Sequence, residues 1–118
     1  MTVFDFDRDG DVDLAVSHSG LAVVTIMPNN GDGTFRDTTG ASGLIDTRGK
    51  GMSGIACDLD DDGDLDIFQA NDETINYVWR NRGDGTFEDY SLRSGCGFNE
   101  DGKVQASMGP TCGDYDRD

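Results

Sequence analysis

The stretch Asp58-Leu59-Asp60-Asp61-Asp62-Gly63-Asp64-Leu65-Asp66 places a carboxylate at every odd position and a glycine at the sixth. Six carboxylates within nine residues repel one another in the absence of a counter-charge. A hard cation that takes six to eight oxygen ligands converts that repulsion into coordination. The same spacing stands earlier as Asp5-Phe6-Asp7-Arg8-Asp9-Gly10-Asp11-Val12-Asp13, and it begins again as Asp114-Tyr115-Asp116-Arg117-Asp118.

Two further markers keep time with the acidic stretch. Asn29-Asn30-Gly31-Asp32-Gly33-Thr34-Phe35 returns as Asn81-Arg82-Gly83-Asp84-Gly85-Thr86-Phe87, and Met52 before Asp58 is matched by Met108 before Asp114. Three markers in the same order define a repeat of roughly fifty residues. The units are read as 1–51, with an incomplete first strand, 52–107, and the start of a third at 108–118. The third motif breaks off, so the chain reads as an excerpt of something longer.

Within the complete unit four short strands are expected. The first spans about Gly54 to Cys57 and leads into the acidic loop. The second, about Leu65 to Ala70, has Leu65 and Ile67 on one face and Phe68 and Ala70 on the other, so both faces are expected to be buried. In the first unit Val12, Leu14 and Val16 oppose Ala15 in the same way. The third, about Asn76 to Asn81, carries Tyr77, Val78 and Trp79, with a counterpart from Ala22 to Met27. An Asp-Gly turn closes a hairpin into a fourth, outer strand in which Phe87 or Phe35 is partly solvated. No stretch sustains a helical period, and the 17 glycines fit a turn-dense chain. Four-stranded units with apolar inner strands are the signature of β-propeller blades. The expected fold is therefore all-β, about two blades, with blade faces exposed because two units cannot close a ring.

The formal charge of −15 excludes nucleic acid and anionic membrane as natural partners. Fourteen of the 24 acidic residues lie in the three motifs, so the charge is concentrated at the loops, and two bound Ca²⁺ would leave −11. Cys57, Cys96 and Cys112 are odd in number; one bridge is possible, with Cys96–Cys112 favoured, and Cys57 is taken as a small buried hydrophobe. The first residues show neither the basic start nor the apolar core of a signal peptide. The apolar run Leu21–Met27 is too short to cross a bilayer.

The paired signals Asp-x-Asp-x-Asp-Gly-Asp-x-Asp and Gly-Asp-Gly-Thr-Phe resemble the FG-GAP or VCBS-type repeats of integrin-α-like propellers. They are similar to those of secreted bacterial repeat proteins and of the cartilage acidic protein group, which often carry an ASPIC/UnbV domain beyond the propeller. The resemblance covers nearly the whole chain. It implies that the acidic loop joins the first two strands of a blade and holds Ca²⁺. The chain departs from integrin repeats in lacking a clear Phe-Gly and Gly-Ala-Pro pair, of which Met108-Gly109-Pro110 is only an echo.

Coordination chemistry gives each loop residue a role. Side chains at positions 1, 3 and 5 wrap the ion, and Gly63 or Gly10 permits the sharp turn after them. Asp58, Asp60, Asp62 and Asp66 are expected to ligate through carboxylates and Asp64 through its carbonyl oxygen. Asp5, Asp7, Asp9, Asp11 and Asp13 correspond, as do Asp114, Asp116 and Asp118 in the third copy. The apolar second position, Phe6, Leu59 or Tyr115, is expected to anchor the loop on its blade. An EF-hand is excluded, because Val16 and Gln69 stand where its bidentate Glu belongs. All-oxygen ligands exclude zinc and copper, and Mg²⁺ fits less well.

Other candidates have blander readings. Arg82-Gly83-Asp84 matches an integrin-binding tripeptide, yet Asn30-Gly31-Asp32 occupies the same turn in the first unit. His18 has no nucleophile or orienting acid at a catalytic spacing, so it reads as a loop histidine. Tyr77, Trp79 and Tyr90 could stack on sugars but read as strand core. The expected function is a calcium-stabilised, non-catalytic module for extracellular recognition, adhesion or scaffolding at the cell surface, outside the cell or in the periplasm. Its expected partners are a protein or polysaccharide ligand and neighbouring blades of the same chain. The alternative is part of a larger carbohydrate- or lipid-active propeller enzyme. A thrombospondin-type calcium array is disfavoured by the strand-like sequence between the motifs.

Overall fold

A computed structural model describes residues 1–18, 24–44 and 49–113. Strands β1 (Thr2–Phe4), β2 (Asp13–Ser17) and β3 (Val24–Met27) form one antiparallel sheet in the order β1-β2-β3. A four-residue helix, α1 (Thr39–Ser42), precedes a second antiparallel sheet. That sheet is built from β4 (Gly51–Cys57), β5 (Asp66–Asn71), β6 (Tyr77–Asn81) and β7 (Phe87–Asp89), in chain order. The described residues are all-β apart from α1, and the two meanders are partial blades of a propeller. Among the described residues no helix is long and apolar enough to cross a membrane. The expected strand residue Ala22 and the third-copy residues Asp114, Tyr115, Asp116 and Asp118 lie outside the described residues.

Both acidic stretches connect the first two strands of a sheet. Registers Phe4↔Asp13 and Cys57↔Asp66 bring the two ends of each loop opposite one another. The glycine-rich marker forms the next hairpin, complete as β6–β7 in the second sheet with Asn81 opposite Phe87, and reduced in the first to a single Asn29↔Phe35 bridge. Its turn is locked by local hydrogen bonds: Asp32 Oδ1 accepts from the Thr34 amide at 2.9 Å, and Asp84 Oδ1 from the Thr86 amide at 3.0 Å. A side-chain oxygen that caps its own turn in this way is why Asp-Gly-Thr recurs there.

The sheets pack with β4 against β1 and β2, and one core runs through both. It contains Phe4, Phe6, Ala15, Val24, Ile26, Leu44, Ile67, Tyr77, Trp79 and Phe87. Buried polar groups are paired within it. The Trp79 indole N–H donates to Gln69 Oε1 (3.3 Å), Gln69 Nε2 donates to Asn71 Oδ1 (3.1 Å), and Asn71 Nδ2 donates to the Ile75 carbonyl (2.7 Å). Tyr77 and Trp79 are thus core residues, as the strand reading requires.

Several expectations need correction. The strand before the acidic loop starts three residues earlier, at Gly51, and the two after it begin one residue later than expected. Val12 is 55 % exposed because it still belongs to the loop, and Leu14 and Val16 are only partly covered. Phe87 is buried rather than partly solvated, because Phe6 of the first unit lies 6.0 Å from it, ring to ring. Phe6 therefore packs on Phe4 of its own sheet, as expected, and docks on the following sheet as well, whereas Leu59, at the same loop position, is 47 % exposed. The disulfide joins Cys57 to Cys112, and Cys96 is the exposed free thiol. The segment before Cys112 crosses the second sheet, with the Ser107 amide donating to the Asn71 carbonyl (3.0 Å) and the Gly109 amide to Ser53 Oγ (3.1 Å). That crossing carries Cys112 to the end of β4.

Candidate metal centre

The two acidic loops repeat one another atom for atom at their key points. In each, the first aspartate uses one carboxylate oxygen to accept from the glycine amide five residues on: Asp5 Oδ2 from Gly10 and Asp58 Oδ2 from Gly63, both at 3.0 Å. The other oxygen, Asp5 Oδ1 or Asp58 Oδ1, is buried with no hydrogen-bond partner among the described residues. A buried carboxylate oxygen without a donor is unfavourable, and here it occurs twice at equivalent positions. Gly10 and Gly63 have φ of +96° and +89°, a turn that residues with a Cβ rarely make.

The last aspartate of each loop does a different job from the one expected of a simple ligand. Asp13 is fully buried; its two oxygens accept from the Phe6 amide (3.0 Å) and the Asn29 amide (2.8 Å). Asp66 does the same with the amides of Leu59 (3.0 Å) and Asn81 (2.8 Å). These carboxylates pin the loop to the hairpin of the glycine-rich marker.

Potential ligand oxygens converge within 4.8 Å of one another in two groups, Asp5, Asp7 and Asp13 in the first loop and Asp58, Asp60 and Asp62 in the second. Several of the loop carboxylates also have partners within the chain. Asp9 Oδ1 accepts from the Asp11 amide and Asp62 Oδ1 from the Asp64 amide, both at 2.9 Å. The carboxylates of Asp11 and Asp64 lie against the hairpin glycines; a Cβ on Gly31 or Gly83 would stand 2.8 or 2.7 Å from them. Asp64 also receives Arg8 of the first loop in an ion pair at 2.5 Å, a contact between units.

The electrostatics match a site short of positive charge. Burial raises the pKa of Asp7, and the negative charges of Asp13, Asp9 and Asp5 raise it further against the Asp9 amide. Asp66 is raised first by burial and then by Asp60 and Asp62, against the amides of Asn81 and Leu59. A cation among these oxygens removes both penalties. In the second loop part of that charge is already met: Arg80 Nε lies 2.5 Å from Asp60 Oδ2, and its terminal nitrogen 3.5 Å from Asp62 Oδ2. The Asp62 carboxyl is held low, first by the Asp64 amide and then by Arg80. The donor set is all oxygen, and the orphaned Asp5 and Asp58 atoms offer the unspent lone pairs a hard divalent cation requires, so the residues fit such an ion.

Asn81 is a structural residue that sequence reasoning missed. Its Nδ2 donates to the Phe6 carbonyl and to the Leu65 carbonyl, each at 3.2 Å, which ties the first acidic loop to the second sheet. Its only signal was recurrence at the head of the glycine-rich marker. The tripeptide Arg82-Gly83-Asp84 sits in the hairpin turn, with Arg82 paired to Glu88 at 2.9 Å and Asp84 capped by Thr86. His18 is exposed and shares a 2.8 Å hydrogen bond with Thr25 Oγ1. Tyr90 lines a groove of about 330 Å³ with Leu59, Arg80, Arg93 and Cys96.

No curated protein and no solved structure matches the chain. A repeat family does: the FG-GAP-like repeat is matched over residues 5–69 and again over 58–118. Each match begins on an acidic loop and together they span nearly all of the sequence. The chain belongs to the FG-GAP-like repeat family.

Proposed function

We propose that this chain is a calcium-stabilised propeller module, without catalysis of its own, that serves recognition, adhesion or scaffolding outside the cell, at its surface or in the periplasm. The observation that carries the cation reading is the pair of buried, unpartnered oxygens, Asp5 Oδ1 and Asp58 Oδ1, at equivalent points of two loops. Asp5, Asp7 and Asp13 hold one ion, and Asp58, Asp60 and Asp62 the other, with Asp9, Asp11, Asp64 and Asp66 completing or bracing the shells. The ion supplies charge neutralisation and a cross-link between the first two strands of each blade. Ca²⁺ fits better than Mg²⁺ because these loops offer many oxygens in a flexible arrangement. The Cys57–Cys112 disulfide supports an oxidising compartment.

Units 1–51, 52–107 and 108 onward are the successive blades. Exposed Leu59 and Phe35 (39 %) support further blades as partners, since each is the counterpart of a residue in the buried Phe6–Phe87 contact. The solvent-facing remainder of the module takes a protein or polysaccharide ligand.

Calorimetric melting of the chain tests this. Affinity in the range of extracellular modules, about 10⁻⁴ M, and calcium near 10 mM give roughly 100 times the dissociation constant, worth ~2.7 kcal/mol per site. The melting temperature then rises on the order of 10 °C over a chelator control. Identical melting in calcium and chelator defeats the proposal.

A further inference from the structure

The two loops share their frame but differ in the cations of their own chain. Arg80 places its guanidinium on two of the three carboxylates that converge in the second loop, Asp60 and Asp62. Counted from the glycine-rich marker, the residue at that place in the first unit is Pro28, which has neither charge nor reach. Among the described residues the cation that approaches the first group is Arg36, whose contact with Asp7 is a single approach at 3.7 Å. Arg8 belongs to the first loop by sequence, yet its guanidinium reaches out to Asp64 of the second. Among the described residues two arginines therefore bear on the second loop, and one, more distant, on the first.

Building on the cation reading above, we propose that Arg80 makes the two sites unequal: it is a resident counter-ion of the second loop that an incoming divalent cation must displace or oppose, so the first loop fills at lower calcium. Arg80 can move. Its side chain is 39 % exposed, and its Cζ already lies 6.0 Å from the Tyr90 ring centroid, a face that accepts a guanidinium. Without calcium it steadies the second loop by neutralising Asp60 and Asp62, while among the described residues the first loop has only the more distant Arg36 as a counter-charge. The device thus staggers two sites that the sequence repeat alone would make equal. Even at the dielectric constant of bulk water, a unit positive charge some 6 Å from a divalent ion weakens its binding about three- to tenfold after screening.

Isothermal titration of the whole chain with calcium, together with hydrogen exchange of residues 5–13 and 58–66 at stepped calcium, tests the proposal. Two unequal sites are expected, with protection appearing first in 5–13. Asp5→Asn should remove the tighter site and Asp58→Asn the weaker. Arg80→Met should tighten the weaker site about three- to tenfold and bring the two together, while Arg80→Lys, which keeps the charge, should leave them apart. The proposal is overturned if the two loops fill together in the wild type, or if Arg80→Met leaves the weaker site unchanged or weakens it, which would make Arg80 an orienting group instead. No binding at any concentration rejects the cation reading itself, and Arg80's role with it.

Discussion

Phe6 and Leu59 hold the same position in the two acidic loops, and replacing each by alanine should have unequal consequences. Phe6 is 1 % exposed and sits between Phe4 and Phe87, with ring centroids 5.7 and 6.0 Å away. Truncating a fully buried phenylalanine removes its transfer free energy and leaves a cavity between two sheets, together about 3–5 kcal/mol. Leu59 is 47 % exposed, so Leu59→Ala leaves no enclosed cavity and costs about half of a full leucine burial, ~1 kcal/mol. For a chain of total stability near 5–15 kcal/mol the first change is severe and the second minor.

Urea unfolding at fixed calcium measures both, read as a change in midpoint at constant slope. A Phe6–Phe87 double-mutant cycle should add a coupling of about 0.5–1.5 kcal/mol, the worth of an aromatic pair. Phe6→Leu, which keeps an apolar side chain of comparable bulk, should cost no more than about 1.5 kcal/mol. Equal costs for Phe6→Ala and Leu59→Ala, or a coupling of zero, would refute the packing of the first loop onto the second sheet.

Gly83 and Gly102 share φ of +71°, but a Cβ on Gly83 meets Asp64 Oδ2 at 2.7 Å and one on Gly102 meets nothing. Gly102→Ala should therefore cost only the left-handed backbone penalty, about 1–2 kcal/mol, and Gly83→Ala distinctly more; equal melting temperatures would contradict the Asp64 placement. The pKa of Asp32 and of Asp84 is lowered, first by the hydroxyl and then by the amide of Thr34 or Thr86. A depressed folded pKa contributes stability that is present above the unfolded value and lost as pH falls through the folded one. Thr86→Val should move the Asp84 titration upward in a carboxyl-detected NMR experiment, and an unmoved titration would show that the hydroxyl does not hold the carboxylate. Non-reducing peptide mapping should recover a Cys57–Cys112 linked peptide and an alkylated Cys96, and reduction should lower stability by about 2–4 kcal/mol; a Cys96–Cys112 peptide would be the opposite result.

The features legible in the sequence are those each unit determines by itself. Asp5 and Asp58, Gly10 and Gly63, and the Asp-Gly-Thr turns are short-range geometry, and the repeat displays each of them twice. The environment of Phe6 and Leu59 depends instead on the neighbouring sheet: Phe6 has a second sheet with Phe87 to cover it, while Leu59 has none among the described residues. The same reason hid the disulfide, because its pairing is set by where residues 107–112 cross β4 and β5, which spacing does not encode. Asp13 and Asp66 show the limit of reading function from residue type. Their carboxylates occupy ligand positions, yet each binds two backbone amides, so their first contribution is to join loop to hairpin. Asn81 then joins that hairpin to the loop of the preceding unit. The acidic loop is accordingly a corner where strand pair, hairpin and neighbouring blade meet. A cation held there would stabilise all three contacts, so calcium should act on the stacking of blades as well as on the loop that binds it.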